Sequence, residues 1–335
     1  MSTTFPPQTR TPETEADYRK RIAQMVEKVR KRHGLGPGTR PTERQMSDHF
    51  TALKPTVKKA TWRQYEAAII YWIETTGEWQ DEVLYDLLSD RAKAKLQAAS
   101  ALPRGTNRTS AAKEKKISKE DFDALLGALR RPSNVANRGV LANLMIAQIS
   151  LGLRPIEWFG VTFPKGEHSP LLQVRSAKTT NGRGNGETRD IHLDHLSAEA
   201  NSAILETAKW ANTFATKEAF QKAIKSLSKL LTDTCKRVFE GRNFKICFYT
   251  LRHQFIANAK KTLAEDEGST ALQTLAALCG HATTRTAAKH YAKAQGAWAH
   301  RDRTRTANPA PHQVATVRIT PNEERNLVRL ARWRV

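Results

Sequence analysis

Cysteine is scarce in this chain: Cys235, Cys247 and Cys279 are the only three, and no CxxC pair occurs. That excludes a disulfide framework and a cysteine-built zinc module, and it fits a reduced, cytoplasmic protein. Long apolar runs are missing too. The longest, AAIIYWI and LANLMIA, fall far below the roughly 20 residues a membrane span needs, and MSTTFPPQTRTPETEADYRK lacks the layout of a secretory signal. Acidic residues are outnumbered, 33 Asp plus Glu against 55 Lys plus Arg, leaving a net charge of +22. Such an excess repels itself unless an anionic partner neutralises it, and nucleic acid is the expected partner. A hydrophobic content of 39% with 26% charged residues suits a folded chain. A length of 335 residues predicts two domains.

Residues 1–12 are polar and Pro-containing, with the composition of a disordered segment. Thr11 and Pro12 open a helix in which Tyr18, Ile22, Met25, Val26 and Val29 keep helical spacing up to Gly34, with a basic opposite face. Residues 13–40 therefore read as a separate basic helix that contacts DNA or a partner. A second helix begins near Arg44, and a third, Ala60 to Thr76, lines up Trp62, Tyr65, Ile69, Trp72 and Ile73. EVLYDLL and RAKAKLQAA extend the all-helical character over 41–102. Residues 103–117 have no apolar periodicity and form a basic linker, in which Arg104, Arg108, Lys113, Lys115 and Lys116 can lie along phosphates.

The second domain, 118–295, starts with a capping pattern at Ser118 and Asp121 and an apolar face of Phe122, Leu125, Leu126 and Leu129. RGVLANLMIAQISLGL follows as a buried helix. LLQVRSA and TRDIHL then alternate around KTTNGRGNGE, whose Gly and Asn residues suit a hairpin turn. Gly182, Gly184 and Gly186 lack the following helix that a nucleotide loop requires. Helices resume near Ala198, so the fold class is mainly α with a small antiparallel sheet. The tail, 296–335, reads as loop to about 315 and then as a short basic helix opened by Thr320, Pro321 and Glu323.

Four segments of the second domain carry residue types suited to phosphate chemistry. LGLRPIEW holds Arg154 and Glu157, the hairpin holds Lys178, YTLRHQF holds Tyr249, Arg252 and His253, and LCGHATTRTAAKHYAK holds His281 and Tyr291. In this order they resemble the G-L-R-x-x-E box, hairpin lysine, H-x-L-R-H box, L-G-H box and tyrosine of the tyrosine recombinases, the phage integrase family of site-specific DNA recombinases. The resemblance is strong over about 118 to 292 and weaker over 44 to 100, where a helical, SAM-like core-binding domain would lie.

The resemblance implies that Tyr291 attacks a scissile phosphate to give a 3′-phosphotyrosine and a free 5′-hydroxyl, conserving the bond energy for rejoining without ATP. Arg154 and Arg252 would clamp the phosphate oxygens, which a guanidinium fork matches bidentately. Lys178 would protonate the leaving oxygen, His281 would hydrogen-bond the phosphate, His253 would assist, and Glu157 would hold Arg154. Arg175 and Arg183, near the hairpin, join the linker residues as expected DNA contacts. No metal and no cofactor is implied. The implied partners are duplex DNA with specific sites, three further copies of the chain on a Holliday junction, and an accessory DNA-binding protein, in the service of a mobile element or replicon. Two departures stand out. Tyr249 occupies the usual histidine position, and Tyr291 follows His281 by ten residues, one more than is common in the family. A DNA-binding module that has lost its chemistry and a type IB topoisomerase are the alternatives; cleavage and site preference distinguish them.

Overall fold

The computed structural model describes residues 10–57, 59–81, 83, 114–167, 169–177, 184–242, 245–267, 270–284, 296–303 and 307–319. The chain divides into two compact units, Met1–Ala111 and Ala112–Val335. No helix among the described residues is long and apolar enough to cross a membrane.

In the first unit, helix α1 (Pro12–Arg32) begins at Thr11, whose side chain accepts from the Thr14 N–H, and Pro12 takes the first position, where a missing N–H costs nothing. Helix α2 (Glu43–Leu53) opens on a reciprocal capping box between Thr42 and Gln45. Helix α3 (Lys59–Thr76) follows. Ile22, Met25 and Val29 of α1 share one core with Met46 and Phe50 of α2 and Ala68, Ile69 and Ile73 of α3. The helix expected to stand apart over 13–40 is thus built into the unit that contains 41–83. Its apolar stripe must be covered, and α2 and α3 cover it. The further helices expected beyond Val83, together with Arg104, Arg108 and Lys113 of the linker, lie outside the described residues.

The second unit begins with α4 (Lys119–Arg130), capped by Ser118 accepting from the Asp121 N–H. Helix α5 (Arg138–Leu151) is mostly apolar and, apart from the half-buried Asn143, buried from Leu141 to Leu151, so it forms the centre of the unit. A 3₁₀ turn, Pro155–Trp158, leads to strands β1 (Leu171–Arg175) and β2 (Thr188–His192). They pair antiparallel with Leu172 opposite Ile191 and Val174 opposite Arg189. Helices α6 (Ala198–Asn212), α7 (Lys217–Val238), α8 (Phe248–Asp266) and α9 (Ala271–Leu278) complete the helical body.

The segment expected as loop after residue 296 is structured where it is described. Strand β3 (Asn308–Pro309) adds an edge to the sheet, pairing with β2, and the short helix α10 (Pro311–Ala315) follows. Proline is tolerated there because an edge strand need not donate on its outer side. Asn185 Nδ2 donates to the Gln313 carbonyl at 2.7 Å, the Asp190 N–H donates to Gln313 Oε1 at 3.2 Å, and Val317 is buried in the core. Tertiary partners, which local sequence does not display, order this stretch. The terminal helix expected from Thr320 onward lies outside the described residues.

Candidate active site

Helix α5 stops at Gly152, which takes a φ of +59°. A Cβ there would lie 2.0 Å from Phe255 Cδ1 on α8, so both conformation and close packing demand glycine. The chain then turns sharply and presents Arg154 as the cap of the 3₁₀ turn. Gln148 holds this turn from inside the helix: its Oε1 accepts from Trp158 Nε1 at 3.0 Å and its amide nitrogen donates to the Leu153 carbonyl. Trp158 is fully buried, which anchors the far end.

Glu157 sits in that turn with no side-chain exposure. Its carboxylate accepts from the Arg154 N–H at 2.7 Å, from Arg154 Nη1 at 2.6 Å and from the Ala177 N–H at 3.2 Å. Arg189 of β2 donates to it through Nη2 at 2.7 Å, and Arg252 Nη1 stands 3.9 Å from its Oε2. One carboxylate therefore organises three guanidiniums from distant parts of the chain. Arg252, one turn into α8, also donates through Nη1 to the Gly152 carbonyl and through Nη2 to the Cys279 carbonyl at 3.2 Å. Those two acceptors tie α8 to the ends of α5 and α9. His281 follows Gly280, which ends α9 with a φ of +67°, and the His281 N–H donates to the Ala276 carbonyl at 2.8 Å.

The electrostatics follow from burial and from the excess of arginine. Burial alone would raise the Glu157 carboxyl pKa, but Arg189, Arg252 and Arg154 outweigh it and hold the group well below the usual carboxylate range. His281 is pushed down to about 3, first by burial and then by the positive charge of Arg252, Arg154 and Arg189. At neutral pH its imidazole is uncharged and offers a neutral hydrogen bond, while the arginines carry the charge. The Cys279 thiol, fully enclosed, is pushed upward by burial.

The structure thus brings Arg154, Glu157, Arg252 and His281 together. Tyr249 stands on the first turn of α8, three residues before Arg252, but is 49% exposed. His253 is half-buried on α8, while Arg175, Lys115 and Lys116 are exposed. Lys178, Arg183 and Tyr291 lie outside the described residues. Arg189 is a member that the motifs do not include. Its signal in the sequence is its parity with Ile191 and Leu193, which places it on the core face of the strand.

No protein-family model matches the chain, and no curated protein sequence matches it. Among solved structures, it is similar to a lambda integrase dimer bound to a COC′ core site, at 14% identity over 86% of this chain and 73% of that one, with a TM-score of 0.48. It is also similar to the XerH site-specific recombinase bound to difH substrate in a pre-cleavage complex, at 13% identity over 84% of this chain and 76% of that one, with a TM-score of 0.47. A third similarity is to the integrase from mycobacterium phage Brujita, at 15% identity over 93% of this chain and 99% of that one, with a TM-score of 0.31.

Proposed function

We propose that this chain is a tyrosine recombinase that cleaves and rejoins duplex DNA at specific sites through a 3′-phosphotyrosine. The observation that carries the reading is the convergence of Arg154, Arg252 and His281 around the Glu157 carboxylate, from segments far apart in sequence. A phosphodiester gains negative charge on its non-bridging oxygens as it is attacked, and two buried, always-charged guanidiniums beside a neutral hydrogen-bonding imidazole suit that charge.

In this scheme the Tyr291 phenol gives up its proton to solvent as its oxygen forms a bond to phosphorus and the bond from phosphorus to the 5′-oxygen breaks, and Lys178 supplies the proton to the departing oxygen. Arg154 and Arg252 bind the non-bridging oxygens, and His281 donates its N–H to one of them. The reverse attack by a 5′-hydroxyl releases Tyr291, so strand exchange consumes no nucleotide. Four copies on two sites would exchange strands pairwise through a Holliday junction.

The test is to incubate the wild type and Tyr291→Phe with labelled duplex fragments from DNA flanking the gene, with EDTA present, including nicked suicide substrates. An adduct resistant to SDS from the wild type only is the expected result. Binding by both proteins with no adduct from either would assign the chain to DNA binding without chemistry, and relaxation of any supercoiled plasmid regardless of sequence would assign it to topoisomerase activity.

A further inference from the structure

We propose that Arg189 is a positioning residue of this site, gripping the Glu157 carboxylate so that Arg154 and Arg252 are held ready for the phosphate; the inference rests on the recombinase reading above.

Arg189 sits where a strand of this kind calls for an apolar residue. It shares the core face of β2 with Ile191, opposite Val174 and diagonal to Leu172, all of them fully buried, and is itself 1% exposed. A guanidinium there is costly unless it is paired and hydrogen-bonded. Its Nη2 donates to Glu157 Oε2 at 2.7 Å, and its Nη1 lies 3.4 Å from both Glu157 Oε1 and Ser176 Oγ. The fork therefore spans both carboxylate oxygens.

The fold also leaves room for this side chain at one particular place. A Cβ on Gly280 would lie 2.8 Å from Arg189 Nη1, so the bare backbone before His281 is what admits the guanidinium. Arg189 consequently touches the strand, the 3₁₀ turn that carries Arg154, and the turn that carries His281. None of these contacts faces solvent, and Arg189, at 1% exposure, lies deeper than Arg154 at 8% and Arg252 at 3%.

The charge balance gives the arrangement its purpose. Three guanidiniums against one carboxylate, with the imidazole neutral, leave the cluster at +2. Without Arg189 it falls to +1, and Glu157 draws on Arg154 and Arg252 alone, the two groups the phosphate needs. Arg189 thus occupies the carboxylate from behind and leaves the cluster with the surplus charge that a doubly anionic transition state can use.

The experiment is a double-mutant cycle on the full chain, using nicked suicide duplexes. Single-turnover cleavage and duplex affinity are measured for the wild type, Arg189→Lys, Arg189→Met, Glu157→Gln and the double variant Glu157→Gln/Arg189→Met. Arg189→Met is expected to slow cleavage about 30-fold with affinity changed less than about three-fold, and Arg189→Lys to recover part of the rate. The double variant, whose cluster returns to +2 with no carboxylate left to draw on the clamp, is expected to cleave at least about ten-fold faster than additive losses allow. It also removes the two most deeply enclosed ions together, so the comparison survives if Arg189→Met fails to fold, because the double variant should then fold and cleave where the single one does neither. Additive losses, or Arg189→Met cleaving at the wild-type rate, overturn the inference alone. No adduct from the wild type overturns the parent reading, and this inference with it.

Discussion

The carbonyl of Gly152 accepts a hydrogen bond from Arg252, a partner 100 residues further along the chain. The glycine thereby does two things: it ends α5 in a left-handed conformation, and it aims the guanidinium from α8. Gly152→Ala should destabilise the protein by about 3 kcal/mol or more, because the new methyl group meets the Phe255 ring in a conformation that already disfavours it. Gly160→Ala is the control. Gly160 has a φ of +76°, but a methyl group there would meet no atom within 4 Å, so the change should cost only backbone strain, about 1 to 2 kcal/mol. Urea denaturation of both variants checks the difference.

Acid should loosen the site before it unfolds the rest. His281 has a folded pKa of about 3, against about 6.5 in an unfolded chain. Between those values the unfolded state holds a proton that the folded state lacks, so stability present above about pH 6.5 is lost as pH falls toward 3, at up to about 1.4 kcal/mol per unit. Glu157, also depressed in the fold, adds a loss of the same sign below about pH 4.3. The melting temperature of the DNA-free protein should fall steadily from about pH 6.5 to about pH 4.5, and His281→Gln should flatten that decline. A wild-type melting temperature that is level across this interval would refute the assignment of a neutral, buried imidazole.

Duplex binding should be steeply salt-dependent, as expected for a chain of net charge +22. Lys115 and Lys116 are exposed at the start of the second unit. If each meets a phosphate, changing both to Gln should reduce the slope of log affinity against log salt by about 1.8, with little change in sequence preference. Fluorescence anisotropy between about 50 and about 200 mM salt, the range in which such slopes are read, checks this.

How much of this is legible in the sequence differs from element to element. The caps at Thr11 and Ser118 and the hairpin strands at 171–175 and 188–192 follow from local pattern, and the structure has them. The cluster of Arg154, Glu157, Arg252 and His281 is visible in sequence only as spaced boxes, because nothing local says that residues 154 and 252 meet. Arg189 escapes notice because its parity with Ile191 is set against its charge, and the partner that lets a guanidinium face inward, Glu157, lies 32 residues earlier. The tail reads as loop because Asn-Pro-Ala-Pro has turn chemistry, while the strand edge and Asn185 that order it lie more than 100 residues earlier.

The same tail yields a truncation test. A chain ending before Ala307 loses β3, the buried Gln313 and Val317, and the pairing of Arg318 with Ala282 and Thr284. It should lose at least about 3 kcal/mol of stability. Calorimetry of the truncated and full-length chains decides the matter.

Tyr249 offers a test of chemistry that is separate from stability. Because it is 49% exposed, Tyr249→Phe and Tyr249→His should each change stability by less than about 0.5 kcal/mol. If the phenol takes part in the proposed cleavage, Tyr249→His should raise the neutral-pH rate about ten-fold and introduce a rate dependence on a group titrating near about pH 6.5. Single-turnover rates from about pH 5 to about pH 9, a span that brackets a pKa of about 6.5, provide the check.

The shared carboxylate also bears on how the protein folds. Arg154 meets Glu157 within one turn, but the carboxylate gains its full set of partners only when strand β2 and helix α8 have both arrived, since Arg189 and Arg252 come from those elements. Contacts of such sequence separation close late, after the loops between them have given up their entropy. A chain with α5 docked and β2 still detached would leave that buried carboxylate without its Arg189 hydrogen bonds, which raises the free energy of such intermediates relative to the finished unit. The site is therefore also a checkpoint: it penalises half-assembled forms and makes the second unit's assembly more nearly all-or-none.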